Sequence, residues 1–222
     1  MITLLVGLVI VGALVLVGGE VYDAVTEDDG IAALDVPLLV WSMGHRTPDL
    51  VAAVNAFTHL GGPVGLPIIA FVVLVLMVVF WRSRTPIVLM VLATAGSLAI
   101  TSIGKTVVGR VRPPQADAVP PYEWAPSFPS GHALNNTVVA GMIAYLIIRR
   151  LEHRWSRTLT VVLAAVWAVA IGLSRVFLGH HWFTDVAFGW VVGLAWLGLV
   201  ITAHRLYLTL RRRPAPPEHP VS

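Results

Sequence analysis

Three short stretches of the chain concentrate its reactive side chains: Lys105 to Arg112-Pro113, then Pro129-Ser130-Gly131-His132, then Ser174-Arg175 with His181 and Asp185. Lys105, Arg112 and Arg175 supply three positive charges and a wealth of N–H donors, which suits a dianionic phosphoryl group. Ser130-Gly131-His132 at a helix start offers free backbone N–H groups and the positive end of the helix dipole, and Gly131 allows close approach of an anion. His181 and Asp185 are four residues apart, a spacing that places both on one face of the helix entering the last apolar segment. The carboxylate can then hold one ring nitrogen and leave the other free to attack phosphorus. His180, five residues from Asp185, is less well placed. Phosphoryl transfer asks little of a protein beyond positioning and charge neutralisation, and this set offers both.

Those stretches sit among segments of a particular composition. Of 222 residues, 57% are hydrophobic and 12% charged, the latter about half the share in a soluble domain. This excludes a disordered chain, a coiled coil and a soluble enzyme, and leaves an all-α integral membrane protein. About 20 helical residues cross a bilayer. Apolar runs meet that need at Ile2–Gly19, Gly65–Trp81, Thr85–Gly104, within Trp124–Ile148, at Thr158–Ser174 and at Val186–Ala203. The fourth starts near Ser130, because Pro126 and Pro129 oppose a helix before it. The first lacks the positive flank of a removable signal and is read as a retained span. Six helices in one bundle, residues 1–213, form a single domain, with a disordered tail at 214–222.

Charge placement orients the bundle. With the N-terminus inside, ten of the fifteen Lys and Arg residues fall on the inner side, which predicts cytoplasmic N- and C-termini and the three motifs together on the extracytoplasmic face. The net charge of +3 thus belongs to membrane topology, and no nucleic-acid partner is expected. Cysteine is absent, which removes disulfides, thiol nucleophiles and thiolate metal sites. Glu20–Asp35 reads as a solvated loop and Val36–Gly61 as one or two interfacial helices, with Trp41 at headgroup level. The proline-rich connection from Lys105 to Pro129 suits a fixed loop over a site. Its Tyr122, Trp124 and Phe128 read as interface anchors. Arg110, which no motif claims, reads as a cation reaching lipid headgroups.

In order and spacing, Lys-x6-Arg-Pro, Pro-Ser-Gly-His and Ser-Arg-x5-His-x3-Asp resemble the type 2 phosphatidic acid phosphatase (PAP2) superfamily, from Lys105 to Asp185. The resemblance implies that His181 is the nucleophile, forming a phosphohistidine, and that Asp185 orients it. His132 would protonate the leaving oxygen and then activate water. Lys105, Arg112, Ser130, Gly131 and Arg175 would bind the phosphoryl oxygens, and Ser174 would cap or position Arg175. No metal or other cofactor is implied. The histidines also lack the paired carboxylates of a hard-cation site.

The expected activity is hydrolysis of a lipid phosphate or diphosphate held in the bilayer: a polyprenyl diphosphate such as undecaprenyl diphosphate, phosphatidylglycerophosphate or phosphatidate. Fold-level analogy leans toward undecaprenyl diphosphate. A lipid phosphotransferase using the same site, and a non-enzymatic anionic-lipid binder or transporter, are the alternatives. The sequence leaves the oligomeric state open.

Overall fold

Inside a bilayer each unpaired backbone amide costs several kcal/mol, so an apolar run must close its hydrogen bonds within itself as a helix. A computed structural model describes residues 2–211, and all its regular structure is helical. Eight α-helices follow in chain order among the described residues: α1 (Ile2–Glu27), α2 (Asp35–Gly44), α3 (Pro48–Leu60), α4 (Gly65–Trp81), α5 (Thr85–Val108), α6 (Gly131–Ile148), α7 (Arg154–Phe177) and α8 (Phe183–Arg211). Of these, α1, α5, α6, α7 and α8 are long and apolar enough to cross a membrane. Helices α3 and α4 meet the same test only together, as a pair bent by 48° at Gly61-Gly62-Pro63-Val64, which brings the candidate crossings among the described residues to as many as six. The chain is a multi-pass membrane protein. The sequence assignment of residues 214–222 to a disordered tail lies outside the described residues.

Helix α6 is the central post, packed by α5, α7 and α8, while α1 lies along α8. Leu134, Val138 and Met142 of α6 are fully buried against Met90 and Ala93 of α5 and Leu197 of α8. By contrast α1 and α4 turn broad faces outward, with Leu16, Phe71 and Phe80 among their most exposed residues. Such faces are stable only against lipid.

Local chemistry sets the helix ends that matter. Ser130 caps α6, its side-chain oxygen accepting from the Ala133 N–H at 3.4 Å, immediately after the Pro126–Pro129 stretch. Helix α5 ends at Gly109 with φ +62°, where the Gly109 N–H donates to the Lys105 carbonyl at 3.2 Å. Only glycine adopts that turn without strain, and it throws Arg110 and Arg112 back over the helix ends.

Several sequence expectations need correcting. Glu20–Asp35 is not a solvated loop: α1 runs on to Glu27, and Asp35 is buried as the first residue of α2. Val36–Gly61 does form two helices, and Trp41 is exposed. Phe128 is no interface anchor; it is buried between the rings of Tyr22 and Phe188, whereas Trp124 and Tyr122 stay exposed. Helix α8 starts at Phe183, so His181 lies in the turn before it, rather than on the helix with Asp185.

Candidate active site

The ends of α5, α6 and α8 and the loop from Gly109 to Ser130 converge at one end of the bundle. The buried carboxylate of Asp185 is the hub. As third residue of α8 it reaches back to accept from the Trp182 N–H at 2.9 Å, one half of a capping box. The same oxygen faces His181 Nδ1 at 3.2 Å and accepts from the Ser127 hydroxyl. The other oxygen accepts from Arg110 at 2.6 Å. With Nδ1 donating to Asp185, His181 keeps a lone pair on Nε2, which faces the Arg112 guanidinium at 3.4 Å. His181 is almost wholly buried. That burial, together with Arg112 and Arg175 and against the opposing pull of Asp185, lowers its pKa to about 4. At neutral pH it is an uncharged imidazole. His180 turns away from this hub, its Nε2 at 2.6 Å from the Val119 carbonyl.

Arg110 departs from its sequence reading. Instead of reaching lipid headgroups, it bridges two buried carboxylates, Asp185 at 2.6 Å and Asp35 at 2.8 Å, and donates to the Thr184 hydroxyl at 2.8 Å. Asp35 also accepts from the Thr184 N–H at 2.9 Å and its hydroxyl at 2.6 Å. Burial alone would lower the Arg110 pKa; Asp185 and Asp35 outweigh it and raise the value. A charge so placed cannot leave without exposing two others.

A half-open cavity of about 580 Å³ lies beside this hub. Lys105, Glu123, Gly131, His132 and His181 line its polar end; Leu66, Pro67, Ala70, Leu98 and Val139 line the remainder. Along α5 the lining runs from Lys105 to Thr94, about 16 Å of helix. Leu66 and Val139 also border a second, mostly apolar cavity of about 440 Å³ between α4, α6 and α7. The turn between α3 and α4 closes on His132: a Cβ added at Gly62 would stand 3.4 Å from His132 Nε2. Asn136 pins that turn, donating to the Gly61 carbonyl at 2.8 Å and accepting from the Trp167 indole at 2.8 Å.

The predicted cations also gather here, tied by an acid that the sequence reading left unassigned. Glu123 pairs with Arg112 at 2.8 Å and with Arg175 through its other oxygen. Burial would raise the Glu123 pKa, but Arg175 and Arg112 hold it down at about 2. Lys105 Nζ donates to the Pro126 carbonyl. Ser174 and Arg175 share the Thr58 hydroxyl, at 2.8 and 3.4 Å, so Ser174 helps seat Arg175 against α3. Ser130 is fully buried, its oxygen capping α6, and Gly131 lies at the cavity wall. Thus Lys105, Gly131, His132 and His181 line one cavity, Arg112 and Arg175 meet its rim through Glu123, and Ser130 and Asp185 stand behind it.

Comparison with known proteins decides the family, since the model of the PAP2 superfamily matches residues 86–207, more than half of the chain. The chain belongs to the PAP2 superfamily. Over 157 residues this PAP2 phosphatase is 35% identical to phosphatidylglycerophosphatase B of Bacillus subtilis, covering 70% of this chain and 75% of that one. It is 28% identical over 130 residues to an undecaprenyl-diphosphatase of Sulfolobus acidocaldarius, covering 56% of this chain and 58% of that one. The crystal structure of a transmembrane PAP2-type phosphatidylglycerolphosphate phosphatase from Bacillus subtilis superposes with a TM-score of 0.81 at 26% identity, over 92% of this chain and 98% of that one.

Proposed function

We propose that this PAP2 phosphatase hydrolyses phosphatidylglycerophosphate at the extracytoplasmic face of the cell membrane, through a phosphohistidine on His181. The observation that carries the reading is that His132 and His181, from different helix ends, line one cavity with Lys105 and Gly131. In the first step His181 Nε2 attacks phosphorus, the ester P–O bond breaks, and His132 gives its proton to the departing oxygen. In the second, His132 takes a proton from water, whose oxygen attacks the phosphohistidine. Inorganic phosphate leaves and both imidazoles are restored. Lys105, Arg112, Arg175 and the first N–H groups of α6 neutralise the phosphoryl oxygens in both steps. Among these residues there is no role that a metal ion must fill.

The substrate choice draws on the relatives: one named phosphatidylglycerophosphatase B at 35% identity, and a neighbouring structure named for the same activity. The apolar depth of the cavity suits a phosphate whose tails stay in the bilayer. Undecaprenyl diphosphate is the second reading, favoured by the undecaprenyl-diphosphatase relative. The excess of arginine at the opposite end of the bundle, including Arg82, Arg84, Arg149, Arg150, Arg154 and Arg157, supports cytoplasmic termini and an outward site. Purified protein in nanodiscs should release inorganic phosphate from phosphatidylglycerophosphate. His181→Ala and His132→Ala should each lower turnover by at least ~10³-fold while staying folded. Acid-labile, base-stable phosphoenzyme should be trapped in wild type and absent in His181→Ala. Near-normal turnover in either variant would remove the mechanism, and product analysis with added alcohols would expose a transferase.

A further inference from the structure

The end of the bundle opposite the candidate active site holds another cavity, of about 280 Å³, at the seam where α4, α5 and α6 come together. Trp81 ends α4 on one side of it, Ser83 and Thr85 supply hydroxyls from the turn into α5, and Arg149 and Arg150 follow the end of α6. No acid lines it. At the active-site end Arg110, Arg112 and Arg175 each meet a carboxylate. By contrast, among the described residues no carboxylate pairs with Arg149 or Arg150. Arg150 instead lies over the Trp81 ring at 5.3 Å, and Arg149 over Tyr145 at 5.9 Å. Stacking on a ring fixes where a guanidinium sits and leaves its in-plane N–H donors open. Arg157, at the same end of the bundle, is spent differently, with two of its nitrogens on the Leu151 carbonyl at 2.9 and 2.7 Å.

A concave site with two cations, two hydroxyls and no acid is complementary to a phosphate group. Its surroundings favour one that belongs to a lipid. Phe80, Ile87 and Val88, next in sequence to the lining residues Trp81 and Pro86, are exposed apolar side chains of α4 and α5, and in a membrane protein such faces meet hydrocarbon. We infer that this cavity binds the headgroup phosphate of an anionic phospholipid whose acyl chains lie against α4 and α5. On the proposed topology the lipid comes from the cytoplasmic leaflet, where anionic headgroups gather around basic flanks of spans. Once bound, it ties the end of α6 to the turn between α4 and α5, at the far end of the helix that carries His132. The site is separate from the chemistry proposed above and does not depend on which substrate the enzyme takes.

Full-length protein in a neutral detergent would be titrated with phosphatidylserine, with phosphatidylcholine of the same chains, and with inorganic phosphate, and Tm followed. Phosphatidylserine should raise Tm by about 5 °C near saturation, as expected of a ligand well above its Kd, and phosphatidylcholine should do little. Arg149→Gln/Arg150→Gln should lose most of the rise. Arg154→Gln/Arg211→Gln, which removes the same charge from the same end but outside the cavity, should keep it. Ser83→Asp is a second check: its carboxylate can still accept from the Thr85 N–H, as the Ser83 hydroxyl does at 3.3 Å, while repelling a phosphate, so it too should lose the rise. An equal loss in Arg154→Gln/Arg211→Gln would mean a diffuse basic surface. A rise that survives both cavity variants, or one as large with phosphatidylcholine, would mean that the lipid acts elsewhere. Each of these overturns the inference. So does inorganic phosphate matching phosphatidylserine, with the effect lost in the cavity variants, which would make this a site for the free anion.

Discussion

Glu123 and Arg175 form an ion pair at the polar end of the cavity, and the second oxygen of the same carboxylate pairs with Arg112. Two of the three cations named for phosphate binding are therefore bridged by one resident anion. A carboxylate spanning two guanidiniums imitates a phosphoryl group, and a substrate phosphate bound as proposed would compete with it for them. Glu123 stays ionised at any working pH, because its pKa is held near 2. Glu123→Gln should weaken this competition, lowering KM and the inhibition constant for orthovanadate by about fivefold. An unchanged vanadate constant would show that phosphate binds without displacing Glu123.

Arg110 ties Asp185 to Asp35, and through Asp185 the pair would hold His181, the proposed nucleophile, at one remove. Arg110→Lys keeps the charge but cannot span both carboxylates in one planar fork. It should lower kcat by about 10- to 100-fold with little change in KM, the range seen when groups behind a catalytic ligand are altered. Asp35→Asn should cost less, since the amide oxygen still accepts. Loss of KM with kcat intact would assign Arg110 to binding instead.

The two adjacent imidazoles set a pH response. Burial lowers both His180 and His181 from their ordinary 6.5 to about 4. His181 is uncharged at pH 5 and above, so as the proposed nucleophile it should place the acid limb of kcat/KM at about 4, while loss of the proton that His132 must donate should set a separate alkaline limb. Stability follows the same protons. Between about pH 6.5 and 4 the unfolded chain binds protons that the folded one refuses, so stability rises with pH across that window and is lost as pH falls through it. Thermal scans in detergent from pH 7 to 4.5 should show Tm falling steadily; a flat Tm would mean that neither histidine is buried uncharged.

Chelators should leave turnover unchanged, because the chemistry assigned to His181 and His132 needs no ion. A loss of activity in EDTA, restored by added Mg²⁺, would require a different mechanism.

Because the chain has no cysteine, one introduced at Ala118, in the loop over the site, is the sole target for a thiol reagent. A membrane-impermeant maleimide should label it on intact cells. Labelling only after lysis would invert the proposed topology.

Much of this was legible in the sequence because each feature is written locally. Runs of about 20 apolar residues specify spans wherever they occur. Gly61-Gly62-Pro63 marks the break before Gly65, and Pro129-Ser130 marks the start of α6. The parts that were not legible depend on partners far apart in the chain. Arg110 looked like a surface cation because Asp35, which gives it a buried role, lies 75 residues earlier. Glu123 is one of two acids, with Asp117, in a proline-rich loop, and only folding brings it between Arg112 and Arg175. Asn135 and Asn136 are indistinguishable as letters; the 100° between them on a helix turns one to its neighbours and the other to the cavity. The i, i+4 reading of His181 and Asp185 gave the right pair for an incomplete reason, since α8 begins between them and the turn at Trp182 closes the distance.

The depth of the cavity along α5 has a kinetic consequence. A phosphate that meets Lys105 would keep its tails among Leu66, Ala70 and Leu98, side chains of the apolar helices α4 and α5, and on the proposed function the lipid need not be lifted into water. The concentration it senses is then the mole fraction of substrate in the plane of the membrane. Diluting that substrate with inert phospholipid should slow the reaction even when its amount per litre is held constant, whereas adding buffer should leave the rate per vesicle untouched.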